Sequence, residues 1–394
     1  MIATSLILLF WLSVGLVAYA YVGYPLMVTL IARRFGCEPW QANPADDDAC
    51  PPLTVVVAAY DEEARIAARI ADILAQDYPA ERLHVLVVSD GSGDRTAEVA
   101  VAAAIADPRI VVLDLPVNGG KASALNAAMA QVKTDIVVFT DARQTFAPGA
   151  LRALVAGFAD PDVGAVSGEL VIDNAMVASA DGAADAAPQA VGLYWRMEKR
   201  LRGDEARLGW LHGVSGAIYA LRRDLFRPLP PGTILDDMWV PLHVALAGRW
   251  VWMARDAIAH DHISASAREE FSRKLRTLAG NWQLLARLPV LLHPSRNPVF
   301  FAWFSHKFLR LLVPWALLLA LLTSALVPHP FYRFAFYAQL LGYLWAAIGL
   351  QLPRLAARMP LSPAAGTFVM LNAAALLSLP ASLAPDASRL WKKH

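Results

Sequence analysis

The 394-residue chain has little cysteine and almost no net charge. Its two cysteines, Cys37 and Cys50, flank a Pro/Asp-rich connector. Neither their number nor their spacing makes a disulfide framework or a zinc site, so a reducing compartment is the default. A formal net charge of +1 provides no global basic field, which excludes nucleic acid as the partner. The opening apolar run has no basic stretch ahead of it and no small-residue cleavage site, so a retained anchor is expected rather than a removed signal peptide. Apolar residues are in excess, at 57% of the chain with a mean hydropathy of +0.41, and they gather at the two ends.

Residues 2–31 exceed the roughly 20 residues that a membrane span needs. Arg33-Arg34 at their end are expected to place the following domain in the cytoplasm. At the other end, Leu311–Val327, Phe334–Leu352 and Pro363–Leu383 are each near the length of a span. Pro298–His306, with Trp303 and three phenylalanines, reads as a helix lying in the interface. Arg354 and Arg358 then fall on the inner side, but three spans put Arg389, Lys392 and Lys393 outside. A re-entrant or kinked third segment, broken by Pro380, stays open. The expected division is an N-terminal transmembrane helix (1–34), a linker (35–52), a central domain (53–290), an interfacial helix (291–310), and C-terminal transmembrane helices with a tail (311–394).

The central domain is organised around residues 118–143. That stretch reads as a glycine turn, a helix from about Ala122 to Val132, a buried strand Ile136–Thr140, and Asp141 at the strand's carboxyl end. Gly119 and Gly120 let the backbone approach a ligand, because neither has a Cβ. Lys121 follows where a helix start exposes N–H groups suited to an anion. Open α/β sheets bind ligands past the carboxyl ends of their strands, where Asp141 lies. A lysine and a carboxylate facing one crevice point to an anion with a divalent cation, which a nucleoside diphosphate satisfies. Strands are also expected at Leu53–Ala59, Leu83–Ser89, Ile110–Leu115 and Trp250–Met253. With helices over 62–76 and Thr96–Ile105, the alternation predicts an α/β fold with a parallel sheet covered on both faces. Residues 173–190, alanine-rich with scattered Asp and Gly, read as a surface loop. Glu269–Leu288 reads as an amphipathic helix.

Five motifs in order resemble the membrane-bound family 2 glycosyltransferases, the group of cellulose, chitin, hyaluronan and poly-N-acetylglucosamine synthases. Ala59-Tyr60-Asp61-Glu62-Glu63 is similar to the family's Pro-x-Tyr-Asn-Glu-Glu, with Asp for Asn. Ser89-Asp90-Gly91-Ser92-Gly93-Asp94-Arg95-Thr96 is similar to Asp-Asp-Gly-Ser-x-Asp-x-Thr, and Asn118–Asn126 to Asn-x-Gly-Lys-x-x-Ala-Leu-Asn. Thr140-Asp141-Ala142-Arg143 stands in the place of the Asp-x-Asp metal motif, with Arg143 for the second Asp. Asp236-Asp237 resembles the family's Glu-Asp pair, and Arg273-x-x-Arg276 its Gln/Arg-x-x-Arg-Trp, with Thr277 for Trp.

The resemblance implies a GT-A (Rossmann-like) domain inserted between membrane helices, and an inverting transfer from a nucleotide-diphosphate donor, UDP-linked in these synthases. The acceptor would be a polysaccharide or a lipid-linked glycan at the inner membrane, so the lipid bilayer is a partner and nucleic acid is not. It further implies Tyr60, Glu62, Asp90, Lys121, Asp141, Arg273 and Arg276 as donor-binding residues. Asp237, beside Asp236, would be the general base, and Ser215 and Gly216 would lie on the acceptor side. Asp141 would hold Mg2+ or Mn2+, since a hard cation takes one carboxylate together with substrate phosphates. Trp282 could replace the missing Trp as a stacking platform. His260-Asp261-His262 offers a second, weaker metal reading, and Asp236 could instead cap the helix after it. A non-catalytic scaffold subunit is the alternative that Arg143 and Thr277 leave open; a transport-only protein would leave the central domain without a purpose.

Overall fold

The structure, a computed structural model, describes residues 2–173, 186–262, 267–352, 359 and 361–383. The expected loop over 173–190 falls largely outside them, as do Arg354, Arg358 and the basic C-terminal residues. Eight strands form one sheet: β1 Leu53–Ala59, β2 Leu83–Asp90, β3 Ile110–Leu115, β4 Ile136–Asp141, β5 Thr145–Phe146, β6 Val163–Asp173, β7 Tyr219–Arg222 and β8 Trp250–His262. Their order is β3-β2-β1-β4-β7-β6-β8-β5.

The first four strands are parallel; β1, β2 and β4 are buried along most of their length, as inner strands of such a sheet are, and β3 at its edge is partly exposed. Val55, Val57, Val87, Val137 and Val138 are fully or almost fully buried, and helices cover both faces. Beyond β4 the expectation of a parallel sheet fails. β7 runs antiparallel to β4 and to β6, so the sheet is mixed. β8 extends nine residues past the expected Trp250–Met253, as far as His262, because its second half pairs with the second half of β6 across two register shifts. Gly168 permits that pairing, since a Cβ there would meet the Ala257 carbonyl oxygen at 2.4 Å.

The turns after β1 and β2 interlock. The Asp61 carboxylate accepts the Gly93 N–H at 2.8 Å, and the Glu63 carboxylate accepts the Arg95 N–H at 3.0 Å. Asp61 has φ +52, a left-handed conformation in which Asp and Asn are the tolerated non-glycine residues. The change from the family's Asn to Asp is therefore conformationally neutral.

Among the described residues, three helices are long and apolar enough to cross a membrane: Ile2–Phe35, Phe300–Leu326 and Ala364–Leu383. The segment read as a separate interfacial helix is instead the opening of the second one. It continues through a π-helical turn, Phe304–Phe308, into Leu309–Leu326. The turn's His306 is buried between Glu198 and Glu205, which ties this end to protein rather than to an interface. Pro330–Gln351 is also a helix but is not in that set; Arg333, Gln339 and its tyrosines make it less apolar.

The N-terminal helix exceeds the length of a span, and its last turns dock on the helix Ala186–Arg207. There the Tyr24 hydroxyl donates to Glu205 at 2.7 Å, and the Thr29 hydroxyl to Asp204 at 2.7 Å. The connector 35–52 is likewise fastened to the domain, through Arg82 and Arg152. Helix Ser362–Leu383 packs on helix Ala267–Arg287, so the candidate spans and the sheet domain share one wall.

Candidate active site

Lys121 begins the helix Lys121–Gln131, entered through Gly120 at φ +81. The N–H groups of Gly119 and Gly120 donate to Asp90 at 3.0 and 2.8 Å. The anion expected at this helix start is thus an internal carboxylate. Asp90 is buried, and what the structure shows it doing is fixing the glycine turn. Gly91 makes this possible: at φ +62, a Cβ would lie 2.3 Å from the Asn118 nitrogen.

From that turn the Lys121 ammonium reaches Asp141 Oδ1 at 2.9 Å and Asp236 Oδ2 at 3.1 Å. Burial alone would lower its pKa, but the two carboxylates outweigh burial and hold it above the usual lysine range. Asp236 opens the helix Asp236–Leu246 and makes no capping bond. The helix-cap reading of Asp236 therefore gives way to an ion pair.

Asp237, next in the same first turn, is held by its backbone: its carbonyl accepts the Val214 N–H at 2.9 Å. This brings the Gly213–Gly216 segment against its side chain. A Cβ on Gly216 would sit 3.7 Å from Asp237 Oδ2, and the Ser215 N–H is anchored to Ser167 Oγ at 2.9 Å. Burial and then the Asp236 charge push the Asp237 carboxyl up to about 7, against the pull of Lys121 and Arg202. His212 is buried beside this segment, and burial lowers its pKa to about 3, so it is neutral there.

Asp141, Lys121, Asp236, Asp237, Ser215, Gly216, Arg273 and Arg276 line one cavity of about 430 Å³. Burial lowers the Arg276 pKa, while Asp237 and Asp141 oppose it, which places the guanidinium within reach of both charges. Arg273 is tied to Glu270, one turn back on its helix. Tyr60, Glu62 and Asp90 lie outside this wall, at the ends of β1 and β2. Tyr60 is exposed there, and the Glu62 carboxylate holds Arg65 at 2.8 Å.

Arg143, in the place of the second metal-motif Asp, pairs with the buried Asp261 at 2.7 Å, and Gln144 binds the same oxygen at 3.0 Å. Asp261 is therefore a partner for Arg143. Trp282 donates to Ser378 Oγ at 3.0 Å and so docks the third span, leaving Thr277 on the cavity wall.

Three neighbours escaped the sequence. Arg69 is buried behind β4, donating to Thr140 Oγ1 at 2.7 Å with Phe146 stacked 3.9 Å away. Arg202 faces Asp237 from the helix Ala186–Arg207. The Tyr219 hydroxyl is buried beside the three aspartates. An arginine in an amphipathic helix and a tyrosine in a four-residue strand carry no local mark of such roles.

The profile of glycosyl transferase family 2 matches residues 54–229. An N-acetylglucosaminyltransferase of Bradyrhizobium elkanii is 32% identical over 167 residues, which are 40% of this chain and 91% of that protein. The chain belongs to glycosyl transferase family 2. An N-acetylglucosaminyltransferase of Rhizobium meliloti (strain 1021) is 37% identical over 164 residues, or 41% of this chain, and the chain spans 38% of that protein's length. Among solved structures, a mannosyltransferase from Pyrobaculum calidifontis, described in complex with GDP-Man and Mn2+, superposes with a TM-score of 0.70. It is 24% identical, with 96% of this chain and 99% of that chain covered. The central domain accordingly has the GT-A fold.

Proposed function

We propose that the chain is an inverting enzyme that moves a sugar from a nucleotide-diphosphate donor, UDP-linked as in the synthases it resembles, to a polysaccharide or lipid-linked acceptor. The proposed setting is the cytoplasmic face of the inner membrane, a reading supported by Arg33-Arg34 at the end of the first candidate span. The observation that carries the reading is the Asp237 carboxyl, near neutrality, across one cavity from the Lys121–Asp141 pair and beside Arg276. A base is most effective when its pKa lies near the working pH.

In the proposed reaction an acceptor hydroxyl oxygen bonds to the anomeric carbon and its proton passes to Asp237. The bond from that carbon to the diphosphate oxygen breaks, and the nucleoside diphosphate leaves with the electron pair. Lys121, Arg276 and Arg273 receive the charge that builds on it, the guanidinium groups by two-point contact. Tyr60 and Glu62 flank the nucleoside end, and Asp90 acts through the turn it holds. Ser215 and Gly216 leave room for the acceptor beside the base.

A divalent cation, Mg2+ or Mn2+, fits Asp141. That carboxylate is 41% exposed at the cavity wall, and Asp261 takes the charge of Arg143 next to it. Such an ion supplies Lewis-acid stabilisation of the diphosphate. The test is a screen of sugar nucleotides against the purified chain, reading nucleoside diphosphate release and product size. No release with any donor and acceptor membrane extract would refute the reading.

A further inference from the structure

Asp141 and the acceptor-side residues 213–217 reach the cavity from neighbouring strands whose ladder ends before either of them. β4 and β7 pair antiparallel from Ile136↔Arg222 to Phe139↔Tyr219, and the register stops there. Past that pair, Ile218 is committed elsewhere. Its carbonyl accepts the Gly168 N–H at 3.0 Å, and its own N–H donates to the Ser215 carbonyl at 3.1 Å. A side chain continues the connection between the two strand ends. Thr140 is buried, and its hydroxyl oxygen lies 2.7 Å from the Ala217 carbonyl oxygen and 2.7 Å from Arg69 Nη2.

Chemistry fixes the direction of both bonds. A guanidinium only donates, so the Thr140 oxygen accepts from Arg69. A carbonyl only accepts, so the single hydroxyl proton goes to Ala217; the Asp141 carbonyl, at 3.4 Å, is the poorer acceptor. Arg69 thereby turns the hydroxyl away from its own strand and onto the segment that carries Ser215 and Gly216.

Arg69 is buried in the helix Ile66–Leu74, paired with Asp72 one turn on and with the Phe146 ring 3.9 Å from its guanidinium. Asp72 also accepts the Phe146 N–H at 3.1 Å. Burial lowers the Arg69 pKa to about 10, with Asp72 and then Asp141 opposing, so it stays a cation at neutral pH. Packing does not call for a cation here. An apolar side chain would fill the gap between helix and sheet without desolvating a charge, and such replacements of buried ion pairs are often neutral or stabilising. What an apolar side chain could not do is orient the Thr140 hydroxyl.

We propose that Arg69 and Thr140 are positioning residues that couple the donor carboxylate Asp141 to the acceptor side of the cavity. A donor held at Asp141 orders the end of β4, and the Thr140–Ala217 bond passes that order to Ser215 and Gly216 beside Asp237. The inference rests on the transferase reading and adds to it that donor binding prepares the acceptor side.

The test is hydrogen–deuterium exchange of the full chain in detergent, read by mass spectrometry with and without UDP and Mn2+. Calorimetry on the same samples gives the UDP affinity, so that every variant is compared at saturation. In the wild type, UDP with Mn2+ should slow exchange over residues 212–218 at least about fivefold, although none of them is assigned to the donor. Thr140→Val keeps the shape and removes the hydroxyl, so it should bind UDP and lose that slowing; Thr140→Ser should restore it. Arg69→Met frees the hydroxyl to turn and should also diminish the slowing; should that variant not fold, the two Thr140 variants decide. A merely structural bond would raise exchange in both states of Thr140→Val and leave the UDP-linked difference intact, which overturns the proposal. So does a Thr140→Val that binds no UDP, because Thr140 then belongs to the donor site itself. Wild-type UDP binding without slowing over 212–218 refutes this inference alone; no UDP binding in the wild type refutes the transferase reading on which it rests.

Discussion

Asp237→Asn separates catalysis from stability. In the unfolded chain an aspartate titrates near 3.9, whereas Asp237 in its site is pushed up to about 7. The folded state therefore holds this proton more tightly, and wild-type stability falls as pH rises from about 4 to about 7, staying low above that. The ceiling on the effect is about 4 kcal/mol, from ~1.4 kcal/mol for each tenfold change in proton affinity. Relaxation and water entry around the ionised carboxylate take up part of that penalty, so about 1–2 kcal/mol, or roughly 3–6 °C in melting temperature, is the expected gain for the asparagine variant at pH 8. Below pH 4 the gain should vanish, because the wild-type carboxyl is then protonated in both states. Transfer should fall by about 10³, within the range for a lost general base. Differential scanning fluorimetry between pH 4 and 8 gives the first quantity, and nucleoside diphosphate release gives the second. A variant that transfers sugar at the wild-type rate removes Asp237 from the chemistry. One that melts lower than wild type at pH 8 refutes the account of its burial.

Lys121→Met leaves Asp141 and Asp236 facing each other without their shared cation. It should weaken nucleotide binding more than about tenfold by calorimetry and destabilise the fold by about 3 kcal/mol; unchanged binding would exclude Lys121 from the donor site. Gly91→Ala should lower stability by about 2 kcal/mol, because it combines a positive φ with a 2.3 Å approach to backbone, and a neutral urea midpoint would refute the geometry of the turn. Gly216→Ala adds a methyl at ordinary contact distance from Asp237, 3.6 Å from its Cβ, so the melting temperature should hold. Acceptor KM should rise at constant donor KM, and a rise in donor KM instead would move Gly216 to the other side of the sugar.

What was legible in the sequence follows from what is local. Strands β1, β2 and β4 announce themselves because a parallel strand buried on both faces needs a nearly continuous apolar run, and acidic turns follow β1 and β2 at once; β3, at the sheet's edge, is partly exposed and is marked by its β-branched residues. β6 and β7 have no such signature: β6 carries Gly164 and Gly168 where neighbours press close, and β7 is four residues ending in Arg222. The preference of the Lys121 helix start for an anion was readable, but its occupant was not. Asp90 lies 29 residues away from Gly119 and meets it only through the pairing of adjacent strands. The continuity of Phe300–Leu326 was hidden for a similar reason. Ser305 and His306 look interfacial by composition, yet they are buried themselves and bond to protein partners, Tyr19 and the two glutamates.

The same logic explains how an altered metal motif coexists with an intact site. Replacing a carboxylate by Arg143 changes the local charge by two, which alone would turn Asp141 away from a cation. Asp261, arriving at the end of β8, restores one of those charges and holds the guanidinium at 2.7 Å. Asp141 is then left facing Lys121 and open solvent. On the far side of the cavity, helix Ala267–Arg287 has two partners: Arg273 and Arg276 project into the cavity while Trp282 is fastened to Ser378 of the third span. A displacement of that helix would shift the two arginines proposed to receive the leaving group. In this architecture the candidate spans therefore help to set the geometry of the cavity.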